Sequence, residues 1–163
     1  MENFYADAYL NSILDVTVPF LSEKGISGLI LDIDNTLIGH NVALPDEKVL
    51  GHLRTLEDGG IKLCVVSNNN EERVKAFCEK IGVSFFVAKA LKPRKVGYEQ
   101  AFKELSLPPS MVAAAGDQVF TDVWGAKRAG CFAILTKPLH KGGEGFLIAL
   151  KRILEKPFTR KFD

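Results

Sequence analysis

Short apolar runs alternate with amphipathic segments along most of this 163-residue chain. Apolar runs of four to six residues, interrupted by at most one polar residue, are typical of strands buried on both faces of a parallel sheet. The runs lie at 29–33, 61–66, 83–87, 112–115 and 132–135, and the segments with helical spacing lie at 46–56, 71–81, 95–105 and 121–129. This alternation predicts an α/β fold with a mostly parallel five-stranded sheet, right-handed crossovers and helices on both faces, a Rossmann-like three-layer arrangement.

The length of the chain favours a single domain over residues 1–163, since two ordinary domains would not fit. We expect its core at about 26–138, with a helical flank on each side. The N-terminal flank, 5–21, is apolar and is predicted to be helical. The C-terminal flank, 143–155, is predicted to form a helix whose apolar stripe covers the sheet, in preference to binding an anionic membrane. This stripe comprises Phe146, Leu147, Leu150, Ile153 and Leu154.

The composition excludes several classes of protein. A net charge of +1 gives no long-range field that would attract nucleic acid. Three cysteines without metal-type spacing indicate reduced thiols in a cytosolic protein. We see no signal peptide and no apolar stretch near the roughly 18 residues of a membrane span. The sequence therefore predicts a cytoplasmic protein with no nucleic-acid partner.

Two carboxylates, Asp32 and Asp34, stand at the carboxyl end of the first apolar run. An unpaired buried charge is costly, so a buried strand has no structural use for them there. Ligands of open α/β sheets bind at this end of the strands. The pair therefore indicates a metal site, a covalent nucleophile or both, in preference to a turn or a helix cap.

Three later strand ends also carry chemically useful side chains. Ser67 and Asn68 follow the second run, where a hydroxyl and amides that open a helix suit a phosphate oxygen. Lys92 follows the third run and would offset negative charge. Asp117 follows the fourth run and, with Asp32, could hold Mg²⁺, which prefers hard oxygen ligands. A carboxylate nucleophile with a second acid beside it predicts a phosphoryl-transfer site.

Structural alternatives exist for several of these residues. Asn68 could form a capping box with Glu71, and Asp117 or Asp122 could cap the helix that begins near residue 121. We favour the functional interpretation in each case, because the residues occur together at successive strand ends. His40, in the loop after Asp34, is as consistent with a solvated side chain as with a substrate contact.

The four elements in this order (Asp-x-Asp-x-Thr, Ser-Asn, Lys-Pro and Gly-Asp-x₄-Asp) resemble the haloacid dehalogenase (HAD) superfamily of phosphohydrolases over residues 28–135. The resemblance implies an aspartyl-phosphate mechanism with Mg²⁺ as cofactor. It makes Asp32 the nucleophile and a metal ligand. It makes Asp34 the general acid and base, with its backbone carbonyl on the metal, and Lys92 the lysine of the family's third motif.

The resemblance also implies roles for the remaining polar residues of the motifs. Thr36 corresponds to the positioning threonine, and Ser67 with the Asn68 amide to the phosphate cradle. Asp117 corresponds to the second carboxylate ligand of the metal, and Asp122 to its supporting partner.

The short connections after the first two strand-end motifs leave no room for a cap domain, so we expect a capless member with an open site. An open site favours a large substrate or a phosphate displayed on a surface. Finer features, including Ala90-Leu-Lys-Pro and the flanks, resemble the YqeG-like HAD IIIA phosphatases, a group related to phosphatidylglycerophosphate phosphatases. This implies a lipid head group as substrate and a peripheral position at a membrane. A phosphatase of soluble nucleotides or sugar phosphates and a low-turnover phospho-ligand-binding module are the alternatives, and the sequence does not indicate an oligomeric state.

Overall fold

The computed structural model describes residues 2–39, 42–139 and 146–159, so His40 lies outside the described residues. Its sheet has six strands, all parallel: β1 (Ala8–Leu10), β2 (Gly28–Leu31), β3 (Lys62–Val66), β4 (Phe85–Val87), β5 (Val112–Gly116) and β6 (Phe132–Thr136). The helices are α1 (Val18–Ser22), α2 (Glu47–Asp58), α3 (Glu71–Ile81), α4 (Lys95–Leu105), α5 (Trp124–Ala129) and α6 (Phe146–Thr159). The strand order is β1-β6-β5-β2-β3-β4, which confirms the predicted Rossmann-like class.

Strand β2 shows why helices cover both faces of the sheet. Its side chains alternate, so that Leu29 and Leu31 pack with residues of α2 and α3, whereas Ile30 packs with residues of α4 and α5. All four residues of β2 are buried. The predicted continuous apolar run is therefore a central strand between two helical layers. Within the described residues, no additional domain interrupts the connections after β2 and β3, in agreement with a capless core.

The N-terminal flank differs from its helical prediction. It contains the sixth strand, β1, whose residues Ala8–Leu10 pair with residues 134–136 of β6. Without β1, the outer backbone groups of β6 would be unpaired at the edge of the sheet, and residues 8–10 supply their hydrogen-bond partners. The apolar pattern of residues 5–21 alone does not show that β6 is available for pairing. Helical structure in this flank is limited to the turn Ile13–Asp15, which is opened by a capping box between Ser12 and Asp15, and to the five-residue helix α1. The predictions of five strands and of a helical N-terminal flank were therefore wrong in this segment.

Helix α6 also differs from its prediction, because the part of its apolar stripe whose side chains the structure describes does not cover the sheet; the side chains of Phe146 and Leu147 lie outside that description. Leu150, Ile153 and Leu154 are 43%, 58% and 57% exposed. Glu155, by contrast, is buried and accepts a hydrogen bond from the backbone N–H of Phe120. Polar groups of the loop after β5 need hydrogen-bond partners, and Glu155 supplies one. The face of α6 that carries Glu155 is therefore turned inward, and Leu150, Ile153 and Leu154 face outward. No helix in the described parts of the chain is long and apolar enough to cross a membrane.

Candidate active site

The predicted strand ends converge at one edge of the sheet, around β2. This strand pairs with β3 on one side and β5 on the other, so its end is the point where the strand order reverses. Asp32 follows β2 directly, and Ser67 follows β3. A cavity of about 290 Å³ opens there, lined by Asp32, Asp34, Ser67, Asn68, Asn69, Lys92, Gln118, Thr121, Asp122, Ile148 and Lys151.

A largely buried lysine bridges two carboxylates at the floor of this site. The Lys92 Nζ donates to Asp32 Oδ1 at 2.5 Å and to Asp122 Oδ1 at 2.7 Å, and its side chain is only 5% exposed. Burial raises the pKa of Asp32 from 3.8 to about 7, with Lys92 opposing this effect and Asp122 adding to it. Burial alone would lower the pKa of Lys92, but Asp122 and Asp32 raise it well above its ordinary value. Lys92 is therefore a fixed positive charge against Asp32.

Asp117 completes a cluster of three acids with Asp32 and Asp122. Each contributes one carboxylate oxygen, and these oxygens all lie within 4.8 Å of one another. Burial, followed by repulsion from Asp122 and Asp32, raises the pKa of Asp117 well above its ordinary value, with Arg152 opposing it. Its Oδ1 is buried and has no hydrogen-bond partner among the described residues. A divalent cation would satisfy that oxygen, so the cluster fits a metal with hard oxygen ligands.

The position of Asp122 depends on a glycine and on an unusual helical turn. A Cβ added to Gly116 would lie 2.3 Å from Asp122 Cγ, so only glycine allows this contact. A π-helical turn, Val119–Val123, precedes α5, so the helix begins at Trp124 and not near residue 121 as predicted. Asp122 Oδ2 accepts from the Gln118 N–H at 3.1 Å, and the Tyr98 hydroxyl donates to the Asp122 carbonyl at 3.1 Å. These contacts fix the turn that presents the carboxylate.

Asp34 lies apart from the buried cluster, at the mouth of the cavity. Its Oδ2 accepts from Asn69 Nδ2 at 3.0 Å, and its Oδ1 accepts from Arg73 Nη2 at 2.8 Å. Asp34 and Arg73 are about half exposed. Sequence reasoning missed both partners. The only available signal was their position, because Asn69 lies in the loop after a strand end and Arg73 lies in the first turn of the helix that follows.

The Ser-Asn motif arranges the loop around Lys92. Asn68 Oδ1 accepts from the Lys92 N–H at 2.8 Å, and Asn68 Nδ2 donates to the Lys92 carbonyl at 3.4 Å. The alternative capping box with Glu71 is wrong, because Asn70 caps α3. The Ser67 hydroxyl accepts from the Asn69 N–H and from Asn69 Nδ2, both at 3.2 Å. The Asn68 side chain therefore ties the end of β3 to the loop that carries the lysine.

The predicted site residues outside the cavity lining are Asp117, which belongs to the acid cluster, and Thr36. Thr36 is buried in the loop after β2, and its Oγ1 has no hydrogen-bond partner among the described residues. Sequence reasoning also missed the contribution of α6. Arg152 Nη2 donates to Asp117 Oδ2 at 2.7 Å, while Ile148 and Lys151 line the cavity. The basic residues of α6 were visible in the sequence, but the contact joins residues 35 positions apart.

Comparisons with known proteins agree with this geometry. A family model for haloacid dehalogenase-like hydrolases matches residues 10–130. The chain is 33% identical over 153 residues to the "Probable phosphatase YqeG" of Bacillus subtilis (strain 168), covering 94% of this chain and 88% of that protein. It is 26% identical to "Phosphatidylglycerophosphate phosphatase 1, chloroplastic/mitochondrial" of Arabidopsis thaliana, covering 87% of this chain but 43% of that protein.

Two solved structures share the fold at low sequence identity. An uncharacterized protein from Listeria monocytogenes serotype 4b superposes with a TM-score of 0.59 at 17% identity, covering 81% of this chain and 99% of that one. The cobalt-bound deoxy-D-mannose-octulosonate 8-phosphate phosphatase of Haemophilus influenzae gives 0.52 at 17% identity, covering 86% and 94%. At this identity the likeness is one of fold alone.

Proposed function

Because this chain belongs to the haloacid dehalogenase-like hydrolase family and is one of its phosphatases, we propose that it hydrolyses phosphomonoesters with Mg²⁺ through an aspartyl-phosphate at Asp32. The observation that carries the proposal is the ion-paired group of Asp32, Lys92 and Asp122 beside the buried Asp117. Lys92 holds positive charge against Asp32, where negative charge of a phosphoryl group would also lie. We further propose that residues 1–163 act as one domain, because both flanks contact the core.

In the proposed reaction, an Asp32 carboxylate oxygen attacks phosphorus in line with the ester oxygen. The bond from Asp32 to phosphorus forms as the ester P–O bond breaks, and Asp34 gives its proton to the leaving alkoxide. Asp34 then takes a proton from a water molecule, whose oxygen attacks phosphorus and releases phosphate and the free Asp32 carboxylate. The half-exposed position of Asp34, held by Asn69 and Arg73, suits contact with both the leaving group and water.

The proposed cation site consists of Asp32 and Asp117, with Asp122 as their supporting carboxylate and the backbone carbonyl of Asp34 as a further ligand. When bound, Mg²⁺ would offset charge on the phosphoryl oxygens. The unpartnered Oδ1 of Asp117 supports this assignment, as does the convergence of three carboxylates. Ser67 and the Asn68 amide are proposed to hold phosphate oxygens, and Thr36 to position the loop that carries Asp34.

We propose phosphatidylglycerophosphate as the substrate, with the protein peripheral at a membrane. The similarity to a phosphatidylglycerophosphate phosphatase supports it, at 26% identity. Helix α6 adds structural support. The outer face of α6 (Leu150, Ile153 and Leu154) is exposed and lies on the helix that borders the cavity, with exposed Lys151 and Lys156 beside it. An apolar face with flanking basic residues is what an anionic lipid surface binds.

The test is phosphate release from phosphatidylglycerophosphate in mixed micelles, with Mg²⁺ or with a chelator, beside a panel of soluble phosphate esters. We expect metal-dependent release that favours the lipid and disappears in Asp32→Asn. Release from soluble esters alone would keep the mechanism and reject the lipid. Absence of metal-dependent release from every ester would reject the phosphatase mechanism and favour a phospho-ligand-binding module.

A second measurement isolates the outer face of α6. We expect Leu154→Glu to weaken co-sedimentation with anionic vesicles, while Val96→Glu leaves it unchanged. Val96 is a matched control, because it is 52% exposed and lies on α4. Equal binding by the two variants would reject α6 as the membrane contact.

A further inference from the structure

The cations near the cavity differ in whether a carboxylate already engages them. Lys92 is paired with Asp32 and Asp122, and Arg152 is paired with Asp117. Lys151 lines the same cavity, yet it is exposed and forms no ion pair or hydrogen bond with any described residue. It is therefore an uncommitted positive charge at the site.

The position of Lys151 is set by contacts that hold α6 against the core. Arg152, the next residue, forms the buried ion pair with Asp117 at 2.7 Å. Glu155 is 2% exposed and its Oε1 accepts from the Phe120 N–H at 2.8 Å. Near the end of the helix, the Tyr9 hydroxyl donates to the Phe158 carbonyl at 3.1 Å. Because α6 is anchored at these three points, the helix holds Lys151 at the cavity.

The charge balance of the cavity indicates what this lysine could bind. Its lining includes Asp32, Asp34 and Asp122, which repel any anionic part of a substrate. Lys92 is engaged at the phosphoryl position. A second anionic group on the leaving portion of a substrate would therefore need a separate cation. Of the cavity-lining residues, Lys151 is the cation that is free to supply this charge.

We propose that Lys151 is a specificity-determining residue that binds a second anionic group on the leaving portion of the phosphomonoester. Such a group is a phosphodiester, a phosphate or a carboxylate. The proposal rests on the proposed phosphatase function and deepens it, since it names the substrate class as phosphomonoesters with an additional negative charge. Helix α6 lies outside the segment matched by the family model, so the proposed selectivity comes from an element C-terminal to that segment.

The test compares two esters that differ in one charge. Glycerol 3-phosphate and 3-phosphoglycerate share the phosphate ester, but the second carries a carboxylate in place of a hydroxymethyl group. We expect the wild type to favour 3-phosphoglycerate, and Lys151→Gln to lose about tenfold in kcat/KM on it through KM, equivalent to about 1.4 kcal/mol. Glycerol 3-phosphate should be hydrolysed at an unchanged rate. Lys151→Arg should keep the preference, and Lys151→Glu should lose more than the glutamine variant.

Lys48→Gln is the matched control, because Lys48 is exposed on α2 and does not line the cavity. A parallel arm with micellar phosphatidylglycerophosphate and phosphatidic acid tells whether a lipid phosphodiester or a soluble carboxylate is the preferred second anion. Equal losses on both members of a pair, or none, would overturn the role of Lys151. A wild type inactive on every ester would instead refute the proposed function, and the role of Lys151 with it.

Discussion

Replacing the proposed nucleophile should make the metal-free protein more stable. Folding raises the pKa of Asp32 from 3.8 to about 7, chiefly by burial. A carboxyl whose pKa is raised in the folded state favours folding while it is protonated, and that contribution disappears as the pH rises from 3.8 to about 7. Above pH 7 the ionised Asp32 therefore costs about 4 kcal/mol, at 1.36 kcal/mol per pKa unit. Asn has nearly the same shape and no such cost.

We expect Asp32→Asn to raise the free energy of unfolding by about 2 kcal/mol at pH 5 and by about 4 kcal/mol at pH 8. The assay is urea denaturation of both proteins at pH 5, 7 and 8 in the presence of a chelator. Lys92 keeps Asp122 as its partner and can still donate to the Asn oxygen, so the local packing is retained. Mg²⁺ should stabilise the wild type more than the variant, because the variant lacks a proposed ligand.

Asp34→Asn is the control for this experiment. Asp34 and Arg73 are about half exposed, and such pairs contribute at most about 1 kcal/mol. The control should therefore change stability little at any pH. If Asp32→Asn were no more stable than the wild type at pH 8, or if its advantage were independent of pH, the assignment of a destabilised carboxylate at this position would be wrong.

Three further outcomes are expected. Gly116→Ala should lose about 1–3 kcal/mol of stability in thermal melts and most of its activity, because the added Cβ would collide with Asp122. The control Gly51→Ala on α2 should be neutral or stabilising, since a Cβ there meets nothing within 4 Å. Glu155→Ala should expose α6 to limited proteolysis, since the buried Phe120 N–H loses its acceptor, and Glu155→Gln should restore protection. The three buried thiols, Cys64, Cys78 and Cys131, should be alkylated slowly in the native protein. Burial raises the pKa of all three thiols, to about 12 for Cys78 and Cys131, so little of the reactive thiolate is present. Rapid alkylation would contradict their burial.

The sequence predicted the central strands and their polar ends because both signals are local. The run before Asp32 had to be buried, and the acids that follow it had to be functional. The flanks were predicted less well, since their structure depends on distant partners. Strand β1 exists because β6 offers an edge, and α6 turns its polar side inward because Glu155 and Arg152 meet groups of the loop after β5. A local hydrophobic pattern contains neither fact.

The aromatic contacts around Trp124 provide an optical reporter beside the site. Trp124 is the single tryptophan of the chain, and its ring centroid lies 5.2 Å from that of Phe4. Phe4 in turn lies 5.3 Å from Phe158 of α6. Trp124 also directly follows the π-helical turn that carries Asp122. The intrinsic fluorescence of this protein therefore reports the docking of the N-terminal segment and of α6, without any label.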